Sequence, residues 1–168
     1  VVTGFSPTNG RAGTNVLITG TNFLGASAVR FNGLDAASFN VLSNRAIQAV
    51  VPAAATTGLI RIITLAGSVF TSSNFVVQPT ITGFSPAFGP VGTNVTITGA
   101  NFNVGTPVVK FNGVQAAVPT GVTFGQLTAV VPAGFTTGPI TVTTAAGTAS
   151  SAANLYVAPV LNSFNPTH

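Results

Sequence analysis

The sequence contains no cysteine, methionine or tryptophan, one histidine, one tyrosine and one acidic residue. Without cysteine, disulfides and thiolate metal sites are excluded. Asp35 is the only carboxylate side chain and His168 the only imidazole. One of each cannot build a pair of acid/base carboxylates, a Ser-His-Asp triad, a histidine metal cluster or a calcium cage. Serine and threonine are plentiful, but they have no base to activate them. The expectation is a protein that is not an enzyme and holds no cofactor or metal. Charge is also scarce, at 4% of the 168 residues, against about 25% in an average soluble domain. The net charge of +4 reflects the lack of acids rather than an abundance of bases. Arg11, Arg30, Arg45, Arg61 and Lys110 are scattered, so no basic stripe for nucleic acid is expected. No apolar run nears the roughly 20 residues that span a bilayer, which argues against membrane insertion. The start at Val1, within a strand-like run and without a basic leader, fits a mature or excised segment.

What the sequence does contain is a repeat. Gly4-Phe5-Ser6-Pro7 returns as Gly83-Phe84-Ser85-Pro86, and Gly13-Thr14-Asn15-Val16 as Gly92-Thr93-Asn94-Val95, both 79 positions later. One residue is inserted after Phe102. Phe31-Asn32-Gly33 then matches Phe111-Asn112-Gly113, and Thr56-Thr57-Gly58 matches Thr136-Thr137-Gly138, at an offset of 80. The pattern opens again at Ser163-Phe164-Asn165-Pro166. Self-similarity at such a period marks tandem structural units.

Within each repeat the hydrophobic period is two. Val95-Thr96-Ile97-Thr98 and Ile140-Thr141-Val142-Thr143 alternate cleanly, as half-buried strands do. Asn32-Gly33 and Asn112-Gly113 are tight-turn signals, because both central positions of a type I′ turn need positive φ. About seven short strands per repeat predict an all-β chain of two small sandwiches. The boundaries expected are 1–78 and 79–158, with 159–168 as the first strand of a next repeat or a strand donated to a neighbour.

Gly-Phe-Ser-Pro, Gly-Thr-Asn-Val-Thr-Ile-Thr-Gly-Ala-Asn-Phe, Phe-Asn-Gly, Val-Val-Pro-Ala and Thr-Thr-Gly-Pro-Ile-Thr-Val occur in that order in repeat two. This order resembles the IPT/TIG family over nearly the whole chain. The resemblance implies immunoglobulin-like β-sandwiches, and the threonine-rich, cysteine-free version is similar to the bacterial extracellular branch. It implies an extracellular or cell-surface location. The basic DNA-contacting loops of the transcription-factor members have no counterpart.

Comparison of the repeats gives the candidate site. Outward positions Thr96, Thr141, Thr143 and Ser150 of repeat two correspond to Leu17, Arg61, Ile63 and Phe70 of repeat one. Ile63 and Phe70 are expected on neighbouring strands near Val76, forming one contact patch. Val160, Leu161 and Phe164 in the tail are costly to leave in water. Together these seven residues, Leu17, Ile63, Phe70, Val76, Val160, Leu161 and Phe164, form the expected self-assembly interface. The partners expected are copies of the chain or adjacent repeats, and the function a filament, stalk or sheath subunit. The alternatives are passive spacer repeats in a larger adhesin or secreted enzyme, or a glycan-binding module. Most of the 13 phenylalanines recur at matching inward positions and read as core, which leaves the glycan module little aromatic surface.

Overall fold

The computed structural model describes residues 1–158. The described chain is built of strands and turns, without a helix. It falls into two compact units, the first Val1–Gln78 and the second starting at Pro79.

In repeat one, β1 (Val2–Ser6), β2 (Asn9–Gly10), β3 (Asn15–Gly20), β4 (Ala26–Phe31) and β5 (Leu34–Asp35) precede β6 (Ser38–Ser43), β7 (Ala46–Val50), β8 (Ile60–Thr64), β9 (Gly67–Phe70) and β10 (Val76–Val77). One sheet has the order β1-β3-β7-β6, the other β5-β4-β8-β9, and β10 pairs in parallel with β2. Alternation does the folding: along β3, Val16, Ile18 and Gly20 are buried while Asn15, Leu17 and Thr19 face out. Val16, Ile18, Ile47, Ala49, Val29, Ile60 and Ile62 close the core around Phe23, Phe31 and Phe75. Burying each large side chain contributes about 1.5–3 kcal/mol.

Repeat two consists of β11 (Thr80–Ser85), β12 (Phe88–Gly89), β13 (Asn94–Ala100), β14 (Val108–Phe111), β15 (Val114–Gln115), β16 (Gln126–Val130), β17 (Gly138–Thr144) and β18 (Gly147–Val157). Its sheets are β11-β13-β16 and β12-β18-β17-β14-β15. Among the described residues no strand here corresponds to β6, and an isolated bridge from Thr120 to Thr128 borders β16. Pro119 and Gly121 occupy that stretch, and proline cannot donate to a ladder.

The recurring motifs have structural jobs. Asn32 and Gly33 adopt φ of 46° and 89°, and Asn112 and Gly113 adopt 44° and 88°, as the I′ turn requires. The Asn32 amide donates to Thr56 Oγ1 at 2.8 Å, and Asn112 donates to Thr136 Oγ1 at 2.7 Å. Gly58 and Gly138 lie against these asparagines, where a Cβ would collide with the amide group. The Phe-Asn-Gly and Thr-Thr-Gly motifs thus recur together because each pair forms one clasp.

Each unit takes the chain in at one pole and releases it at the other. Val2 pairs with Gly20, whereas Val77 pairs with Gly10, beyond the far end of β1. In repeat two, Thr80 pairs with Ala100, and Val157 with Gly89.

Candidate functional site

The expected patch of repeat one is partly assembled. β8 and β9 are antiparallel, with Arg61 opposite Phe70 and Ile63 opposite Ser68. Arg61, Ile63 and Phe70 therefore share the outer face of one sheet, with Phe70 52% exposed and Ile63 half-buried. The patch is not purely apolar. The Arg61 guanidinium lies 5.4 Å from the Phe70 ring centroid and donates through Nη2 to Ser68 Oγ at 3.0 Å. On the same sheet Arg30 Nε donates to Asp35 Oδ1 at 2.6 Å, an exposed pair worth about 0–1 kcal/mol.

Two of the expected members do not join it. Leu17 faces out from β3, opposite Ser6 and Gln48, and so belongs to the other sheet. Period-two alternation distinguishes inside from outside, but both sheets of a sandwich have an outside. Val76 is half-buried and pairs with Asn9 of β2 rather than with β8. Residues 71–75 separate it from Phe70, so it does not extend the patch. Val160, Leu161 and Phe164 lie outside the described residues.

A second candidate site lies in repeat two, at residues outside the expected set. Phe88 of β12 and Tyr156 of β18 are register partners in a parallel pair, 66% and 55% exposed. Paired positions on adjacent strands project from the same face, about 5 Å apart. Beside them a cleft of ≈ 290 Å³ opens between β11 and β18, lined by Ile81, Thr82, Phe84, Ala87, Ser151 and Asn154 among others, and by Tyr156 itself. Ser151 is buried and satisfied: its hydroxyl accepts from the Ile140 N–H at 2.9 Å and donates to the Ala153 carbonyl at 2.6 Å. The exposed Asn154 and Tyr156 are two residues apart on β18 and share its outer side. The aromatic pair lies outside the outward positions compared between the repeats, Thr96, Thr141, Thr143 and Ser150. A signal for it exists in the sequence, because Phe88 and Tyr156 correspond to Asn9 and Val76 and so do not recur.

Among the described residues no group of three or more His, Cys, Asp or Glu side chains could hold a metal ion. No helix of the described residues is long and apolar enough to cross a membrane.

The family model described as IPT/TIG domain matches the chain twice, over residues 1–77 and 79–157. No curated protein matches the chain in sequence. Among solved structures, a surface glycan-binding protein from Prevotella bryantii is 17% identical over 92% of this chain and 42% of its own, with a TM-score of 0.52. A structure solved with a xylogluco-oligosaccharide is 25% identical over 92% of this chain and 40% of its own, with a TM-score of 0.48. A protein from a complex xyloglucan utilization locus in Bacteroides uniformis is 23% identical over 92% of this chain and 49% of its own, with a TM-score of 0.44. The chain spans less than half the length of each of these structures. With two matches that cover nearly all of the described residues, the chain belongs to the IPT/TIG family, as a tandem pair of immunoglobulin-like β-sandwiches.

Proposed function

We propose that the chain is a non-catalytic spacer pair in a larger bacterial cell-surface protein that handles glycans. The observation that carries this reading is the path of the chain through each unit, in at one pole and out at the other. A module built this way holds the segments joined to its two ends apart by its own length. The surface setting and the glycan are drawn from the similar Prevotella bryantii protein, of which the matching stretch is 42%. The scarcity of acids and imidazoles, one of each, fits a part that holds other parts in place.

The test is to insert the whole chain between a lipid anchor and a fluorophore on vesicles that contain an acceptor dye. Energy transfer should fall sharply relative to the anchor joined directly to the fluorophore. Unchanged transfer would remove the spacer reading.

A second reading, self-association into a filament or stalk, is favoured by one observation: Phe70 and Ile63 lie diagonally on one exposed sheet face. It predicts sedimentation that increases with concentration and reverts to monomer in the Ile63→Thr/Phe70→Thr variant. Repeat two carries threonine and serine at these positions, so the variant should fold. A wild-type chain that stays monomeric at high concentration would eliminate this reading.

A further inference from the structure

We infer that the cleft between β11 and β18 of repeat two is a contact site for a neutral carbohydrate chain, seated on the paired rings of Phe88 and Tyr156. Such a site goes beyond the spacer role and is built from the residues of repeat two alone.

Exposure singles out these two rings. Phe102 and Phe111 are fully buried, Phe135 is buried, and Phe84 and Phe124 are half-buried. Only Phe88 and Tyr156, among the described rings of this unit, stand in solvent, and the register puts them side by side. A ring exposes a large apolar face at a cost in water. Two such rings at adjacent positions are not explained by the packing of the sandwich.

Most of the matched positions that differ around the cleft carry the smaller residue in repeat two. Of the lining residues that differ, Ala87 replaces Thr8, Ser151 replaces Thr71, Ala152 replaces Ser72 and Ala153 replaces Ser73, each the smaller, and behind them Leu155 replaces Phe75; Ile81, which replaces Val2, is the larger. Tyr156, which lines the cleft, replaces Val76, and its register partner Phe88 replaces Asn9. In repeat one the Phe75 ring packs against Phe5, with centroids 6.4 Å apart; Leu155 offers Phe84 no such ring. A cleft with small lining residues and an aromatic pair at its side makes a concave site next to flat apolar faces, the usual form of a ligand pocket.

Charge narrows the ligand class. Lys110 is the only charged side chain among residues 79–158. It lies on β14, between Thr141 and Gln115, and does not line the cleft. Nothing here would balance an acidic or basic ligand. Thr82, Asn154 and the Tyr156 phenol supply neutral donors and acceptors, which a purely apolar partner would leave unpaired at a cost. A ligand with apolar C–H faces and many hydroxyls satisfies both the rings and these groups. The size also fits a chain contact. At ≈ 290 Å³ the cleft lies at the lower edge of ligand pockets, about 300–1,000 Å³, so it takes a short stretch of a longer molecule. A folded protein partner fits less well, because two aromatic side chains bury about 300–500 Å², well short of the roughly 1,200 Å² of a stable interface.

The experiment is titration of the whole chain, monitored by NMR and calorimetry, with cellohexaose, xyloglucan oligosaccharide and mannohexaose, and with polygalacturonate as the anionic control. At least one neutral oligosaccharide should bind at millimolar concentration and shift the resonances of Ala152, Ala153 and Asn154. Phe88→Ala and Tyr156→Ala should each weaken that binding by about tenfold. The Phe88→Asn/Tyr156→Val variant installs the residues of repeat one and should bind nothing while unfolding at the wild-type temperature. The inference is overturned by no binding to any neutral oligosaccharide, by binding that survives the double variant, or by preference for polygalacturonate. Self-association that the double variant abolishes would also overturn it, and would assign the rings to contact between copies. None of these outcomes alters the energy-transfer test of the spacer.

Discussion

Replacing Phe75 with alanine is expected to destabilise repeat one by about 3–5 kcal/mol, the usual range for a buried phenylalanine. Phe75 is 1% exposed and makes two ring contacts, edge-on to Phe31 at 5.3 Å and tilted to Phe5 at 6.4 Å. Repeat two shows how that loss can be offset. It carries Leu155 in place of Phe75, but Phe135 in place of Ala55. Phe135 meets Phe111 at 5.9 Å and 74°, nearly the geometry of Phe75 on Phe31 at 5.3 Å and 73°. The same edge-on pair is therefore built from two different chain positions. Ala55→Phe alone should overpack repeat one, and Phe75→Leu alone should leave a void. Together they should recover most of the loss, and a double-mutant cycle by chemical denaturation should give a coupling of about 1–3 kcal/mol. Strict additivity of the two changes would show that the ring sites are independent.

Gly99→Ala is the second change with a large expected effect. A Cβ at Gly99 would run into the Thr80 carbonyl and the Phe102 ring. The carbonyl belongs to the paired backbone of β11, and Phe102 is fully buried, so neither can move aside cheaply. The cost should reach or exceed the top of the usual overpacking range of about 1–3 kcal/mol. Gly83→Ala is the control, since its Cβ would meet only the Thr98 hydroxyl, at 3.4 Å. It should cost under about 1 kcal/mol, because surface changes generally do. Equal midpoints for the two variants in thermal unfolding would refute the steric account.

The fold is legible in the sequence because its determinants are local. Alternation in Val95–Thr98 fixes which side chains point in, and Asn-Gly fixes the turn, both from a few adjacent residues. The matching repeat supports each assignment a second time. The candidate site is harder to read, because it depends on pairings between distant strands. Leu17 is outward, as its alternation indicates, yet the sheet to which it belongs is set by its pairing with β7, which no local pattern gives. Phe88 and Tyr156 are 68 residues apart in sequence and meet only through the parallel β12–β18 register. Treating phenylalanine as core by default conceals Phe88, although its lack of a counterpart in repeat one is visible. The cleft leaves no motif at all, since it is made by replacing Thr8, Thr71, Ser72 and Ser73 with smaller residues.

The opposite-pole path has a mechanical consequence. Tension between the ends of a unit pulls β1–β2 and the closing strand past each other along their length. In repeat one that load falls on bonds such as Val76 N–H to Thr8 carbonyl at 3.0 Å and Gln78 N–H to Gly10 carbonyl at 2.8 Å. In repeat two it falls on Tyr156 N–H to Ala87 carbonyl at 3.0 Å and Ala158 N–H to Gly89 carbonyl at 3.4 Å. Such bonds lie across the pull and share it, so they break together rather than one by one. Phe88 and Tyr156 stand on the two strands of that clamp. A sugar chain lying across both rings would tie the strands together, so that in flow the grip on the ligand and the resistance of the domain to stretching would rise together.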